Sequence, residues 1–311
     1  MIGLFHRGGL GARVPVLEIK ESEEMFPMRV LRSPIRVAVI LILLSFPLAA
    51  LAQTGEVEVQ TAEVNASAAP TRVTSSADRL FYSFVEDAAM VENQWWEGQI
   101  EYADGSDLDT FLLRGIAAFQ PWKKWEIGGR IGFGRTDSSS KLSDGTGATD
   151  LDAWAKYYLG QAGSNTEFTA GAVVTLPTGD DGASLGADAW ALSAFGALRQ
   201  RFRIFILSVS AGVVFNGDGQ VFVNDSRINL EGKTAPRVSA AAIFPYTDRV
   251  SFVAETLLEG ERFRGADSDI RLLGGVNYRV ANRGQFRGAL GFGFTDASPT
   301  WQLLASYAFA F

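Results

Sequence analysis

The feature that most constrains this chain is a regular alternation of apolar and polar residues. From about residue 95 onward, segments of roughly eight to twelve residues carry apolar side chains at every second position. This two-residue period is that of a β-strand, and turn-forming residues (Gly, Asp, Asn, Ser, Pro) separate the segments. Twelve strands are predicted, at 95–103, 109–119, 125–136, 149–159, 166–177, 187–199, 202–215, 235–245, 249–260, 269–280, 284–295 and 300–311.

The links between the predicted strands also alternate in length. Short links follow the even-numbered strands, and the longest links, at 137–148, 178–186 and 216–234, follow odd-numbered ones. Short turns at one rim and long loops at the other are typical of a bacterial outer-membrane barrel with both termini on the short-turn side. The even strand number fits that topology.

Charged residues occupy the strand face opposite the apolar one. Burying so many ionised groups in a dry core would cost several kcal/mol for each group. We therefore predict that the apolar faces meet lipid and the ionic faces a hydrated lumen. The expected fold is all-β, a 12-stranded antiparallel up-and-down transmembrane β-barrel at 95–311. Its candidate solute-path residues in the lumen are Arg114, Glu126, Arg130, Asp150, Asp152, Trp154, Lys156, Tyr158, Glu255, Arg271, Arg279 and Arg287.

Part of this set supports two interpretations. Asp150, Asp152 and Lys156 lie at even spacing, with Trp154 and Tyr158 on the same face. They could line a constriction that orders a passing solute. They could also form a salt-bridged network that fills a narrow barrel, and this is the interpretation that we favour.

The N-terminal region has the pattern of an export signal. Three arginines precede the apolar stretch 37–51, which is shorter than the ~20 residues that span a bilayer, and Ala50-Leu51-Ala52 resembles a signal-peptidase site. Residues 1–52 are therefore predicted to be a pre-sequence and signal peptide. Residues 53–94 are expected to be a mobile leader, with a short helix or a plug in its second half.

The composition excludes several chemistries. The chain has no cysteine, and its one histidine is His6, within the predicted pre-sequence. Histidine-dependent hydrolases and common zinc sites are excluded, so we expect no enzyme activity, metal or cofactor. Acidic residues outnumber basic ones by 35 to 28, which argues against a nucleic-acid partner.

The last predicted strand, "WQLLASYAFAF", carries apolar residues at every second position up to Phe311. This ending resembles the signal that outer-membrane assembly machinery reads. The expected partners are that machinery, the lipid bilayer of the outer membrane and a small hydrophobic solute. The expected location is the outer membrane.

Residues 147–179 resemble a known family. The stretches "GTGATDLDAWAKYYL" and "AGAVVTLPTGDDG" are similar to elements of the outer-membrane family named for the MetA pathway of phenol degradation. The resemblance implies a channel or transporter, with passive passage of small hydrophobic or aromatic compounds. The alternatives are a non-conducting structural or surface-binding barrel, a barrel enzyme, and a soluble periplasmic β-protein.

Overall fold

The computed structural model describes residues 79–91, 94–106, 108–138, 144–223, 226–280 and 284–310. The predicted signal peptide, residues 53–78 of the predicted leader, and Phe311 lie outside these ranges. The strands are β1 (Gln94–Asp104), β2 (Leu108–Trp122), β3 (Trp125–Ser138), β4 (Gly145–Ala148), β5 (Leu151–Ala162), β6 (Thr166–Leu176), β7 (Ala191–Arg201), β8 (Ile206–Asn216), β9 (Gly219–Val223), β10 (Ser226–Leu230), β11 (Thr234–Pro245), β12 (Val250–Glu259), β13 (Asp269–Arg279), β14 (Gly284–Gly293) and β15 (Trp301–Ala310).

The main sheet closes into a barrel. Strand β1 pairs antiparallel with β2 on one side and with β15 on the other, so the sheet has no free edge between its first and last strands. Strands β4 and β5 share one position because both pair with β3, while β9 and β10 form a separate hairpin. The predicted twelve-stranded antiparallel barrel is confirmed.

Two predicted strands begin later than expected, at Ala191 and Ile206. Before β7, the chain makes a 3-10 turn at Asp181–Ala183, where the Asp180 side chain caps the N–H of Ala183. Before β8, the N–H of Phe202 bonds the carbonyl of Phe205 and closes a turn. None of the helices in the described ranges is both long and apolar enough to cross a membrane.

The two faces of the wall differ as predicted. Along β1, Trp96 and Ile100 are exposed on the outer face, whereas Trp95, Glu97 and Gln99 are buried on the inner face. The same outward exposure recurs in the other strands, at Phe111, Leu113, Phe119, Ile131, Phe133, Val213, Phe215, Phe286, Leu290 and Leu303. An exposed apolar band of this kind is typical of a wall that faces lipid.

Polar and aromatic residues mark the ends of this band. At the short-turn rim, Trp122 and Tyr246 are 65% and 74% exposed. At the long-loop rim, Arg135 pairs with Asp137 on the outer face of β3, just beyond the exposed ring of Phe133. Aromatic side chains at the boundary between apolar and polar surface form the girdles of membrane barrels.

A charge placed in this band is expected to destabilise the protein. Leu113 is 49% exposed between Phe111 and Phe119, so Leu113→Arg puts a guanidinium within the bilayer, at a cost of about 2–4 kcal/mol near its midplane. Tyr246→Arg, at the rim, should cost less than about 1 kcal/mol. Urea titration of the protein folded into vesicles measures both. Equal costs would argue against the membrane-facing assignment.

Candidate functional site in the barrel lumen

Residues 79–91, here called the inner segment, lie inside the barrel. All of them except Tyr82 are buried, and they form bends and turns. A short helix, one of the two forms predicted for this region, is absent from residues 79–91. The physical reason is that several backbone groups of the inner segment bond to charged side chains of the wall rather than to one another.

Glu255 on β12 holds the first part of the inner segment. Its carboxylate accepts the backbone N–H groups of Phe81, Tyr82 (3.0 Å) and Ser83 (3.2 Å). The side chain is 1% exposed. These charge-assisted hydrogen bonds compensate the burial of the carboxylate and fix three successive residues against the wall.

An ion pair between β3 and β5 holds the last part of the inner segment. The Lys156 ammonium lies 3.0 Å from Glu126, and both side chains are fully buried. Lys156 also donates to the carbonyl of Ala89 (2.9 Å), and Glu126 accepts the N–H of Val91 (2.7 Å). The indole N–H of Trp154 donates to Glu126 at 3.2 Å. Both members of the pair thus gain the additional hydrogen bonds that a buried ion pair needs.

Asp87 of the inner segment is itself bound by the wall. Its carboxylate lies 2.6 Å from the Arg199 guanidinium of β7 and accepts the hydroxyl of Ser208 on β8 at 2.8 Å. Asp87 and Arg199 are almost completely buried. Removing either charge would therefore leave the other in a site with little access to water.

Arg287 on β14 links the inner segment to β1. Its guanidinium pairs with Glu97 at 2.6 Å and donates to the backbone carbonyls of Leu80 and Arg79. It also lies over the Phe81 ring, 4.6 Å from the centroid. The carbonyl of Arg79 additionally accepts the side-chain amide of a wall residue, Asn277, at 2.9 Å.

Apolar contacts complete the fit. The Phe84 ring packs against Trp95 and Trp154, at centroid distances of 5.7 and 6.3 Å. Phe81 lies over Gly275 of β13, where an added Cβ would be 2.5 Å from the ring. Glycine is required there by space rather than by backbone conformation, because the phenyl ring occupies the place of a side chain.

The structure divides the twelve candidate lumen residues into three groups. The first group contacts the inner segment or is buried beside it and consists of Glu126, Trp154, Lys156, Glu255 and Arg287. The second group surrounds a cavity and consists of Arg114, Arg130, Asp150, Asp152 and Arg271. The third group is half-buried near the short-turn rim and consists of Tyr158 and Arg279. The expected hydrated environment is wrong for the first group, because protein groups rather than water satisfy those charges. Asp150 precedes β5 and accepts the N–H of Gly179 at 2.8 Å.

The cavity, here called the vestibule, has a volume of about 410 Å³. The inner segment contributes Tyr82, Val85 and Glu86 to its lining, and the long-loop side contributes Ser184 and Leu185. Its charged lining consists of Arg114, Arg130, Arg237, Arg262 and Arg271 together with Glu86, Glu101, Asp150, Asp152, Glu259 and Asp269. Positive and negative side chains are thus closely balanced.

Ion pairs order the arginines of the vestibule. Arg130 bonds Asp152 at 2.6 Å, and Arg271 bonds Asp269 at 2.5 Å. Arg237 contacts both Glu259 of the wall and Glu86 of the inner segment. The described residues contain no cluster of three carboxylate or imidazole groups that could hold a metal ion. The charged lining of the vestibule can offer hydrogen bonds and charge to a solute.

The sequence pattern missed several members of this site, notably Glu86, Asp87 and Arg199. Glu86 and Asp87 lie outside any alternating segment, so no sequence period indicates which way their side chains point. Arg199 falls on the inner face of a predicted strand, and that position was the one available signal. Its partner is 112 residues away in the chain and could not be identified from spacing.

Comparison with known proteins identifies the fold class. No family model matches the chain, and no curated protein matches it. An outer membrane channel of Pseudomonas putida F1 is similar in structure, with a TM-score of 0.58 and 16% identity over 72% of this chain and 97% of that one. The chain has the fold of an outer-membrane β-barrel. At this identity the likeness establishes the fold alone.

Two other solved barrels are more distant. The KdgM porin has a TM-score of 0.49 and 8% identity, covering 70% of this chain and 99% of its own. The CymD monoaromatic hydrocarbon channel has a TM-score of 0.41 and 12% identity, covering 72% of this chain and 90% of its own. The resemblance to the phenol-degradation family stays a prediction from the sequence.

Proposed function

We propose that this chain is an outer-membrane channel that residues 79–91 close, and that it opens when this segment leaves the lumen. The observation that carries the proposal is where the segment is held. Glu126 on β3 and Glu255 on β12 bind its two ends. In the closed order of the barrel these strands are half a circumference apart. The segment therefore crosses the lumen from wall to wall.

The lining of the vestibule favours a small polar solute over an apolar one. Passage of small hydrophobic or aromatic compounds is the expectation from the family resemblance. Paired charges line the vestibule, and an apolar molecule there would remove water from those charges without replacing its hydrogen bonds. A solute with hydrogen-bonding groups would compensate that loss.

A non-conducting barrel is the second candidate. The filled lumen favours it, because buried ion pairs and packed aromatic rings could serve stability alone. The long-loop rim, which carries the β9–β10 hairpin, would then be the surface that contacts a partner. The two candidates differ in whether displacing the inner segment produces a conducting pore.

Single-channel recording with Gly275→Val tests the channel proposal. A side chain at Gly275 collides with Phe81, whereas Gly274, its neighbour on β13, has no atom within 4 Å of an added Cβ. Wild-type protein in planar bilayers should open rarely, and Gly275→Val should raise the open probability several-fold. Gly274→Val is the matched control and should behave as wild type.

The outcomes separate the two candidates. Silence of folded wild type and of folded Gly275→Val, with folding verified by heat-modifiable migration on gels, would favour the non-conducting barrel. A wild-type channel that is steadily open, with Gly275→Val unchanged, would show that residues 79–91 do not close it.

A further inference from the structure

The cations of the vestibule are all arginines. Five arginines line it, and no lysine is among the described lining residues. A guanidinium is a planar fork that matches the two oxygens of a carboxylate, whereas an ammonium is a compact point charge without that shape. The lining is therefore suited to planar anions such as carboxylates, although its positive and negative charges are nearly balanced.

Two of these arginines are partly exposed and lie on neighbouring strands. The side chains of Arg114 and Arg130 are 28% and 36% exposed, although each contacts one acidic residue, Glu101 and Asp152 respectively. They lie on adjacent strands, since Arg114 pairs with Gly132 in the register of β2 and β3. A carboxylate that entered from the long-loop side would meet both.

The inner segment already places a carboxylate on a vestibule arginine. Glu86 lies 3.1 Å from one terminal nitrogen of Arg237, whose other terminal nitrogen lies 3.0 Å from Glu259. Both Glu86 and Arg237 line the vestibule. An external carboxylate could replace Glu86 at this position without changing the charge around Arg237, because Glu259 would remain.

We infer that the vestibule binds a small organic carboxylate and that Glu86 occupies part of this binding site while the inner segment is in place. The inference rests on the proposed channel function, since it names the solute class of the same pore. Binding of the solute and seating of the inner segment then compete for Arg237. The charge of the solute would favour release of the segment.

Isothermal titration calorimetry on the full chain refolded in detergent tests this inference. Sodium succinate is the probe, with ionic strength held constant by sodium chloride. Succinamide supplies an uncharged molecule of similar shape, and inorganic phosphate supplies an anion of another class. The variants are Glu86→Gln, which removes the competing charge, and Arg237→Gln, which removes the proposed anchor. Arg135→Gln is the control, because Arg135 lies on the outer face.

Succinate should bind saturably, whereas succinamide should not bind. Glu86→Gln should tighten succinate binding several-fold, and Arg237→Gln should weaken it about tenfold or more, as the loss of a hydrogen bond to a charged group implies. Arg135→Gln should bind as wild type does. If Arg237→Gln does not fold, the Glu86→Gln comparison decides, because that variant retains the Arg237–Glu259 pair.

Several results would overturn the inference. These are no saturable succinate binding by either wild type or Glu86→Gln, equal or tighter binding of succinamide or phosphate, or no tightening in Glu86→Gln. Because calorimetry measures binding and not conduction, such a result would leave the channel proposal standing if Gly275→Val still conducts. Succinate binding to a protein that never conducts would instead contradict the proposed function.

Discussion

Lys156→Met is expected to destabilise the folded chain by about 3–5 kcal/mol, the usual cost of leaving a buried charge without its partner. Glu126 and Lys156 are both fully buried, so the remaining carboxylate would have no access to water. The ammonium bond to the carbonyl of Ala89 would be lost as well. Urea unfolding of the refolded protein, followed by tryptophan fluorescence, measures the change.

The double variant Glu126→Gln/Lys156→Met separates the charge from the shape. Glutamine carries no charge, and its single carbonyl oxygen can replace only one of the two carboxylate oxygens that accept separately from the N–H groups of Val91 and Trp154. Part of the lost stability should return, because replacing both members of a buried pair removes the unpaired charge while one N–H group loses its acceptor. A double variant as unstable as Lys156→Met would show that the ammonium acts through its backbone contacts rather than by neutralising Glu126.

Glu255→Ala is expected to release the first part of the inner segment. The substitution leaves the N–H groups of Phe81, Tyr82 and Ser83 without their acceptor, each at a cost of about 1–3 kcal/mol. The population with this part detached should therefore rise at least about a hundredfold. Arg79 is 4% exposed in the folded protein. Cleavage by trypsin after Arg79, detected by mass spectrometry, should accelerate accordingly where opening is fast relative to cleavage.

Glu255→Gln is the matched control for this prediction. Its side-chain carbonyl can still accept from Tyr82 and Ser83, which share one oxygen of Glu255, but its NH2 group cannot accept from Phe81. Cleavage after Arg79 should therefore be faster than in wild type and slower than in Glu255→Ala. Cleavage at the wild-type rate in Glu255→Ala would mean that the contacts of Phe81 and Arg287 hold the segment without the carboxylate.

The wall of the barrel was predictable because strand alternation is strict. A slip of one residue would reverse every side chain between lipid and lumen, so the period specifies both position and face. Phe286 and Leu290 illustrate this, because both lie on the apolar face of the predicted strand 284–295 and both are exposed. The charges at Glu126, Lys156 and Glu255 were likewise placed inside.

The contents of the lumen could not be derived in the same way. Phe81 and Glu255 are 174 residues apart, and the bond between them depends on the complete barrel. Residues 79–91 carry no strand period, so their sequence fits a short helix or a plug equally well. The role of Gly275 could not be predicted either, because the need for a glycine at this inward position becomes evident only when the ring of Phe81 is located.

Chemical labelling of residue 83 tests most directly whether the inner segment fills the lumen. The chain has no cysteine, so Ser83→Cys introduces a single thiol at a position that is 1% exposed. Ser164→Cys, in an exposed short turn, is the control. A water-soluble maleimide should label the folded Ser164→Cys protein rapidly and leave Ser83→Cys unlabelled until the barrel is unfolded. Equal labelling rates at the two positions in the folded protein would contradict the account.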